Sequence, residues 1–354
     1  MGGEVLRGRT VVLSAILATL ALTLFAGSSF GTVGSPTVRK AAQVTYKMAV
    51  VTDVGGLNDH GFNQAANAGR LLVQKKLGFQ TRVFDTRSAA ERLPNLQAAA
   101  QDGYQLVFGT GFFFGDTLDK VAPKFPNVKF AGIDVNYNTD LPSKPTNVRG
   151  IQFKEQEAGY LVGYLAGLVL KQQPGPDVAS AIGANTVPAI VRYFGGYRAG
   201  VKKADPKATV ILSYANDPTF SDQAKCKEVA LNQISQKTQI IFTAAGGCGL
   251  GALDQAKAQG LWGIGVDSDQ LYLGPEMLTS ALKDVAKSVY LTSQEFKKNP
   301  SAFKTGFNKV FNVKNGGIGY GKVSAKLKNR AAIIKKVNAI KKLIAAGKIV
   351  PPAK

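Results

Sequence analysis

Histidine is almost absent from this chain: His60 is the only one in 354 residues. Cysteine occurs twice, as Cys226 and Cys248. A lone imidazole without partner ligands, and a cysteine spacing that fits no zinc pattern, exclude a zinc site from the reading. Acidic residues are few as well, 23 against 44 Lys and Arg, which leaves a net charge of +21. From Ser301 to Lys354 there is no Asp or Glu at all. Such a balance suits an anionic partner. Nucleic acid does not fit, because no RNA-binding signature or interleaving of aromatic and basic residues is present. The Lys-rich C-terminus stays open between two readings, a solvated face on terminal helices or a surface held near anionic lipid or wall polymer.

Long apolar runs are missing after the N-terminus. The one such run, Thr10–Ala26, follows Arg7 and Arg9 and precedes the small-residue stretch Gly27–Gly31. Residues 1–31 therefore read as a secretory signal peptide, or as an uncleaved N-terminal anchor, since the run is at the short edge for a spanning helix. Leu24-Phe25-Ala26-Gly27 resembles the start of a lipoprotein box, but Ser28 stands where the acylated Cys would be. Residues 32–44 read as a linker. The expected location is extracytoplasmic: periplasmic or at the cell surface, secreted or held by the N-terminal helix. In an exported chain two thiols are a disulfide candidate; two buried free thiols are the alternative.

What the chain does contain is alternation. Short apolar strands are expected at Lys47–Thr52, Thr81–Phe84, Leu106–Gly109 and Val128–Ile133, with helices between them, near 63–76 and 93–101. The pattern breaks near Val148–Phe153. It restarts with a helix at Gly159–Lys171 and strands at Val178–Ile182, Thr209–Ser213, Ile240–Ala244 and Trp262–Val266. Strand–helix repeats imply βαβ units and a parallel sheet. Two runs imply an α/β protein of two doubly wound lobes facing a central cleft.

Ligands of such sheets bind beyond the carboxyl ends of the strands. Six loops there, 53–63, 109–114, 134–138, 214–220, 246–251 and 267–270, are rich in Gly, Asp, Asn and Phe and contain no Lys or Arg. That mix suits a neutral polar ligand with a flat ring: carboxylates and amides hold hydroxyls, and aromatics sandwich the ring. Phe112-Phe113-Phe114 is either a ligand platform or cleft-wall packing.

Several motifs compete with a binding role. Gly247-Cys248-Gly249-Leu250-Gly251-Ala252 matches G-x-G-x-x-A after a strand, with Asp267 about 20 residues on, which on paper is a dinucleotide fingerprint of an NAD-type enzyme. It sits in the second half of the chain, and no hydride-transfer acid or base accompanies it. Gly27–Gly31 matches G-x-S-x-G, outside any strand–helix context and with only His60 as base. Asp53 and Asp59 could form a glycosidase pair, but Asp59 is better placed to cap the following helix. No enzyme is expected, and no cofactor.

The loops resemble those of the basic membrane protein (BMP) family, solute-binding proteins of ABC transporters similar to purine-nucleoside receptors. The resemblance is carried by Val51–Gln64 (VTDVGGLNDHGFNQ), Gly109–Phe112, Phe130–Asp134, Glu157–Gly163, Ala245–Gly251, Ile264–Gln270 and Leu278–Lys283, and it covers about residues 45–350. It implies a class I periplasmic-binding-protein-like fold, with three crossovers forming a hinge. By the resemblance the first lobe is 45–150 plus 279–305, and the second 151–278 plus 306–354. It implies a nucleoside ligand and an ABC permease partner. Asp53 and Asn63 should hydrogen-bond the base, and Phe62 and Phe220 should stack on its two faces. Asp267 should take the ribose hydroxyls, Gly247 and Lys283 should complete the sugar end, and Thr110 and Gly111 belong to the same ligand set. Gly61 replaces a usual Ser and Cys248 a usual Thr, which removes two hydroxyls. A surface adhesin or ligand sensor on the same fold is the alternative function.

Overall fold

The computed structural model describes residues 45–354. The signal or anchor expected at 1–31 and the linker at 32–44 lie outside the described residues. Among the described residues no helix is long and apolar enough to cross a membrane.

The first βα run comprises β1 (Lys47–Val51), α1 (Phe62–Leu77), β2 (Gln80–Phe84), α2 (Arg92–Gln101), β3 (Leu106–Thr110), α3 (Phe114–Val121), β4 (Lys129–Ile133) and β5 (Val148–Phe153). The second comprises α4 (Glu155–Leu170), β6 (Val178–Gly183), α5 (Pro188–Ala204), β7 (Thr209–Tyr214), α6 (Gln223–Ser235), β8 (Ile240–Ala244), α7 (Cys248–Ala258), β9 (Trp262–Asp267) and β10 (Met277–Lys283). α8 (Val285–Lys298), β11 (Asn308–Phe311), β12 (Ile318–Tyr320) and α9 (Arg330–Ala345) complete the chain. They form two six-stranded sheets, ordered β11-β5-β4-β3-β1-β2 and β12-β10-β9-β8-β6-β7. Every pairing is parallel except β10 with β12.

The strand sequences explain this arrangement. β3 and β8 are buried at every position, as apolar runs covered on both faces by helices must be. α1 buries Asn63, Ala66, Gly69 and Val73, a helical stripe. It stops at Gly78, whose φ of 72° provides a left-handed cap.

The chain crosses between sheets three times: from β5 into α4, from β10 into α8, and from β11 to β12. These crossings shift the lobe limits drawn from the sequence. Val148–Phe153, read as a break, is a fully buried strand of the first sheet. Residues 279–283, assigned by resemblance to the first lobe, belong to β10, which pairs with β9 of the second. Residues 308–311, assigned to the second, form β11, which pairs with β5 of the first. The physical reason is that each crossing comes after its strand is paired, and a short apolar strand does not encode which sheet edge it joins.

α4 and α5 pack backbone to backbone in the second lobe. A Cβ added at Gly159, Gly163 or Gly196 would run into the backbone oxygen of Tyr193, Tyr197 or Gln156 respectively. Glycines spaced by four on α4 therefore set the distance between the two helices. Neither backbone can give way without moving a buried helix. Gly163→Ala is expected to lower the unfolding free energy by about 3 kcal/mol, the upper part of the overpacking range. An unchanged urea midpoint would show that the helices can separate at little cost.

Candidate functional site

A cavity opens where the strand ends of both sheets meet. It encloses about 740 Å³, part of it open to solvent. Seven of the sequence-predicted site residues line it together: Asp53, Phe62, Asn63, Gly111, Phe220, Asp267 and Lys283. Thr110 and Gly247 are not in its lining. Thr110 is fully buried at the end of β3. Gly247 lies behind Gly246, which does line the cavity.

The first-lobe wall is built on Asp59. Its carboxylate accepts from the backbone N–H groups of Gly61, Asn63 and Gln64, at 3.0, 2.7 and 3.1 Å. This satisfies the orphan donors of α1, so Asp59 is a cap, as its position before the helix suggested. The capped turn presents Phe62 to the cavity. Asn63 follows, but its amide is already occupied. Its Oδ1 accepts from the Asp53 N–H at 3.1 Å, and its Nδ2 donates to the Asp53 and Val54 carbonyls at 3.2 and 3.4 Å. Asn63 thus braces the loop that carries Asp53.

Asp53 has one oxygen engaged. Its Oδ1 accepts from Arg92 Nε at 2.6 Å and from the Val54 N–H at 2.7 Å. Arg92, from α2, also lies over the Phe113 ring, 4.8 Å from its centroid. Burial pushes the Asp53 carboxyl above its ordinary range despite the Arg92 charge.

At the back of the cavity Lys283 is 2% exposed. Its ammonium lies 2.5 Å from Asp134 Oδ2 and 2.9 Å from Glu155 Oε1. It also sits between the Phe62 and Phe153 rings, 4.9 Å from each centroid. Arg192 pairs with the other oxygen of Glu155 at 2.6 Å. Burial alone would drive the lysine toward neutrality. The three carboxylates Asp134, Glu155 and Asp267 outweigh it and hold the ammonium charged well above its ordinary range. Burial opposes ionisation of Glu155 too, but Lys283 and Arg192 keep its carboxyl below the usual range. The cations absent from the loops therefore reach this region from a strand end and two helices, each already paired with an acid.

Asp267, at the end of β9, faces the opening. Tyr193 Oη donates to its Oδ1 at 3.2 Å. Burial raises its pKa to about 7; Asp134 and Asp59 add to the rise, and Lys283 opposes it. Asp134, Phe220 and Asp267 all have left-handed backbones, with φ of 64°, 58° and 62°. Such strain, of order 1–3 kcal/mol per residue, persists where surrounding structure over-determines the conformation, typically at binding sites.

Cys226 and Cys248 form a disulfide, with Cα atoms 5.5 Å apart. Both are fully buried. The bond ties α6 to the first residue of α7, and the Cys248 N–H donates to the Phe220 carbonyl at 3.0 Å. Phe220 is thereby fixed against the Gly246–Cys248 turn. The glycines of the dinucleotide-like motif serve packing here: a Cβ at Gly251 would meet the Gln223 carbonyl, and one at Gly249 would lie 3.1 Å from Thr243.

Of the three consecutive phenylalanines, Phe112 and Phe113 line the cavity, and Phe114 is core. Lining residues not singled out in the sequence include Val187, Ile190, Tyr193 and Asp134. The first three follow β6, a strand end left out of the loops read from the sequence. Applying the same rule to it would have found the first turns of α5. Asp134 lay in a loop that was read, with nothing to single it out.

Residues 46–353 match the Bmp family, described as "ABC transporter substrate-binding protein PnrA-like". The chain belongs to this family. It is 32% identical over 330 residues to the "ABC transporter nucleoside-binding protein BmpA" of Lactococcus lactis subsp. cremoris, covering 87% of this chain and 89% of that protein. To "Basic membrane protein A" of Borreliella burgdorferi it is 32% identical over 278 residues, 77% of this chain and 78% of the other. Among solved structures, an ABC transporter solute-binding protein from Aeropyrum pernix K1 superposes with a TM-score of 0.74 at 25% identity, covering 87% of this chain and 94% of that one. The class I periplasmic-binding-like architecture follows. This is a substrate-binding protein of an ABC transporter and not an enzyme. Bmp-family proteins act on the extracytoplasmic side, with a small-molecule ligand and a permease as partners.

Lys283→Met in the Bmp chain would leave Asp134 and Glu155 buried without their shared cation. Breaking a buried pair in this way is expected to cost about 3–5 kcal/mol of stability. Chemical denaturation measures it, and a loss below about 1 kcal/mol would show that water or rearrangement replaces the ammonium.

Proposed function

We propose that the protein binds a nucleoside, a purine nucleoside by preference, between its lobes and delivers it to an ABC permease for import. The observation that carries this reading is one cavity lined both by the rings of Phe62, Phe112, Phe113 and Phe220 and by the carboxylates Asp53 and Asp267, each with one oxygen free to accept. A flat ring fits between aromatic faces. Asp53 keeps Oδ2 for a ring N–H, and Asp267 can accept from vicinal hydroxyls. Lys283 orients Asp134 and completes the sugar end, while Thr110 and Gly247 act from just behind the lining. Bound ligand would touch both lobes, so it would favour the closed arrangement by population shift, with the three crossings as hinge. Export through the N-terminal apolar segment, cleaved or retained as an anchor, places the protein where a permease can meet it.

Calorimetry with a panel of nucleosides, free bases and sugars tests the reading. Heat from nucleosides, strongest for purines, is the expected outcome; no heat from any nucleoside overturns it. Phe62→Ala should weaken binding by about 0.5–1.5 kcal/mol beyond the lost contact area. Asp267→Ala should cost about 2–5 kcal/mol.

Binding should also depend on pH. In the free protein Asp267 titrates at about 7. Hydroxyls donating to its carboxylate favour the charged form, so the bound pKa is lower. The complex then holds fewer protons than the free protein, and affinity rises as pH increases through about 7 and falls below it. Affinities measured from pH 5.5 to 8.5 check the sign, and Asp267→Asn should flatten the profile. An affinity that is flat in the unaltered protein would rule out a role for this carboxylate.

A further inference from the structure

The one-sided charge of the C-terminus now has a structural setting. α9 packs into the second lobe through Ile333, Val337, Ile340 and Ile344, all buried. Its opposite face is made of Lys, Ala and Leu: Lys335, Lys336, Ala339, Lys342 and Leu343 are exposed. None of these lysines has an acidic partner among the ion pairs of the described residues. The first turn of α9 also lacks an acidic residue, although the helix dipole favours one there.

The segment after α9 leads the chain to α5, where the Ala353–Lys354 backbone lies against Gly195. α5 contains no acidic residue either, and it ends in Lys202 and Lys203, both exposed.

A face that is merely solvated mixes both signs with neutral polar residues. Here the residues between the cations are mostly apolar. Leu343 is 37% exposed and Val350, one turn of chain beyond the helix, is 84% exposed. The polar exception, Asn338, accepts from Tyr320 Oη at 2.7 Å. Cations without counter-charges, interspersed with exposed apolar side chains on one helix face, are the composition of a surface that lies on an anionic bilayer. The lysines meet phosphate headgroups, and Leu343 and Val350 reach the acyl boundary. A soluble anionic polymer would use the cations but would leave those two side chains in water.

We propose that the face formed by α9 and the segment after it docks on the surface of a bilayer containing anionic phospholipid. This proposal is independent of the ligand in the cleft. It would keep the receptor beside its permease whatever becomes of the N-terminal segment, which matters in a chain with Ser28 at the lipoprotein-box position.

Co-sedimentation of the full chain with vesicles of phosphatidylcholine alone, or with added phosphatidylglycerol, tests it. The expected result is phosphatidylglycerol-dependent binding that weakens as salt rises. K335E/K336E/K342E should lower the partition coefficient on the order of a hundredfold, at about 1 kcal/mol for each lost cation. K75E/K76E/K227E makes the same change in net charge away from this face and should stay within a few-fold of the parent. Circular dichroism establishes that both variants fold. Equal binding to the two vesicle types, an equal loss in both variants, or retention on soluble polyphosphate without vesicle binding would each overturn the proposal.

Discussion

The ammonium of Lys283 is the contact on which the rest of this arrangement depends. It ends β10, immediately before the chain crosses into α8. Its partners are Asp134, from the end of β4 in the other sheet, and Glu155, the first residue of α4 after another crossing. One buried cation thus ties two lobes at two of their three connections. In a low-dielectric setting such a cluster holds only if each charge is matched, and Arg192 supplies the second cation that Glu155 requires. The two rings flanking Lys283 carry the same constraint outward. Phe153 belongs to β5, and Phe62 forms a cavity wall.

Around this point the cavity is assembled by groups that mostly satisfy one another. Asn63 braces the Asp53 loop, Arg92 holds one Asp53 oxygen, Asp59 caps α1, and Tyr193 occupies one Asp267 oxygen. What remains outward-facing is a pair of carboxylate oxygens and a set of aromatic faces. Preorganisation of this kind lowers the ordering cost of binding. The left-handed backbones at Asp134 and Asp267, just after β4 and at the end of β9, and at Phe220, in the loop after β7, turn the chain at residues that line the cavity. The disulfide acts in the same sense. Cys248 supplies a covalent link that fixes the turn beside Phe220.

Much of this was legible in the sequence. Hydrophobic period and loop composition revealed two βα runs and the ends of the strands where a ligand belongs, and the loop motifs revealed the family. Seven of the nine site residues implied by the resemblance line one cavity; all of the seven but Lys283 sit in loops at carboxyl strand ends, which local strand order alone locates. Arg92 and Arg192 were not legible. They arise from the first residue of α2 and the second turn of α5, and only helix packing pairs them with Asp53 and Glu155. The same limit applies to β10 and β11, whose apolar pattern fits an edge of either sheet. Asn63 lines the cavity, and its amide is engaged by the Asp53–Val54 backbone, a contact that no spacing rule could bring near.

The sequence by itself determined the classes of things: α/β lobes, the substrate-binding family, strand-end loops rich in aromatics and carboxylates, and a C-terminus without negative charge. These follow from composition, loop motifs and short-range periodicity, which do not depend on long-range contacts. Only the tertiary structure decided which carboxylates are spent on internal cations, which sheet each crossing strand joins, that Cys226 and Cys248 meet, and that the lysines of α9 share their face with exposed Leu343. Each of these is a contact between residues distant in the chain, so it exists only after the lobes have packed.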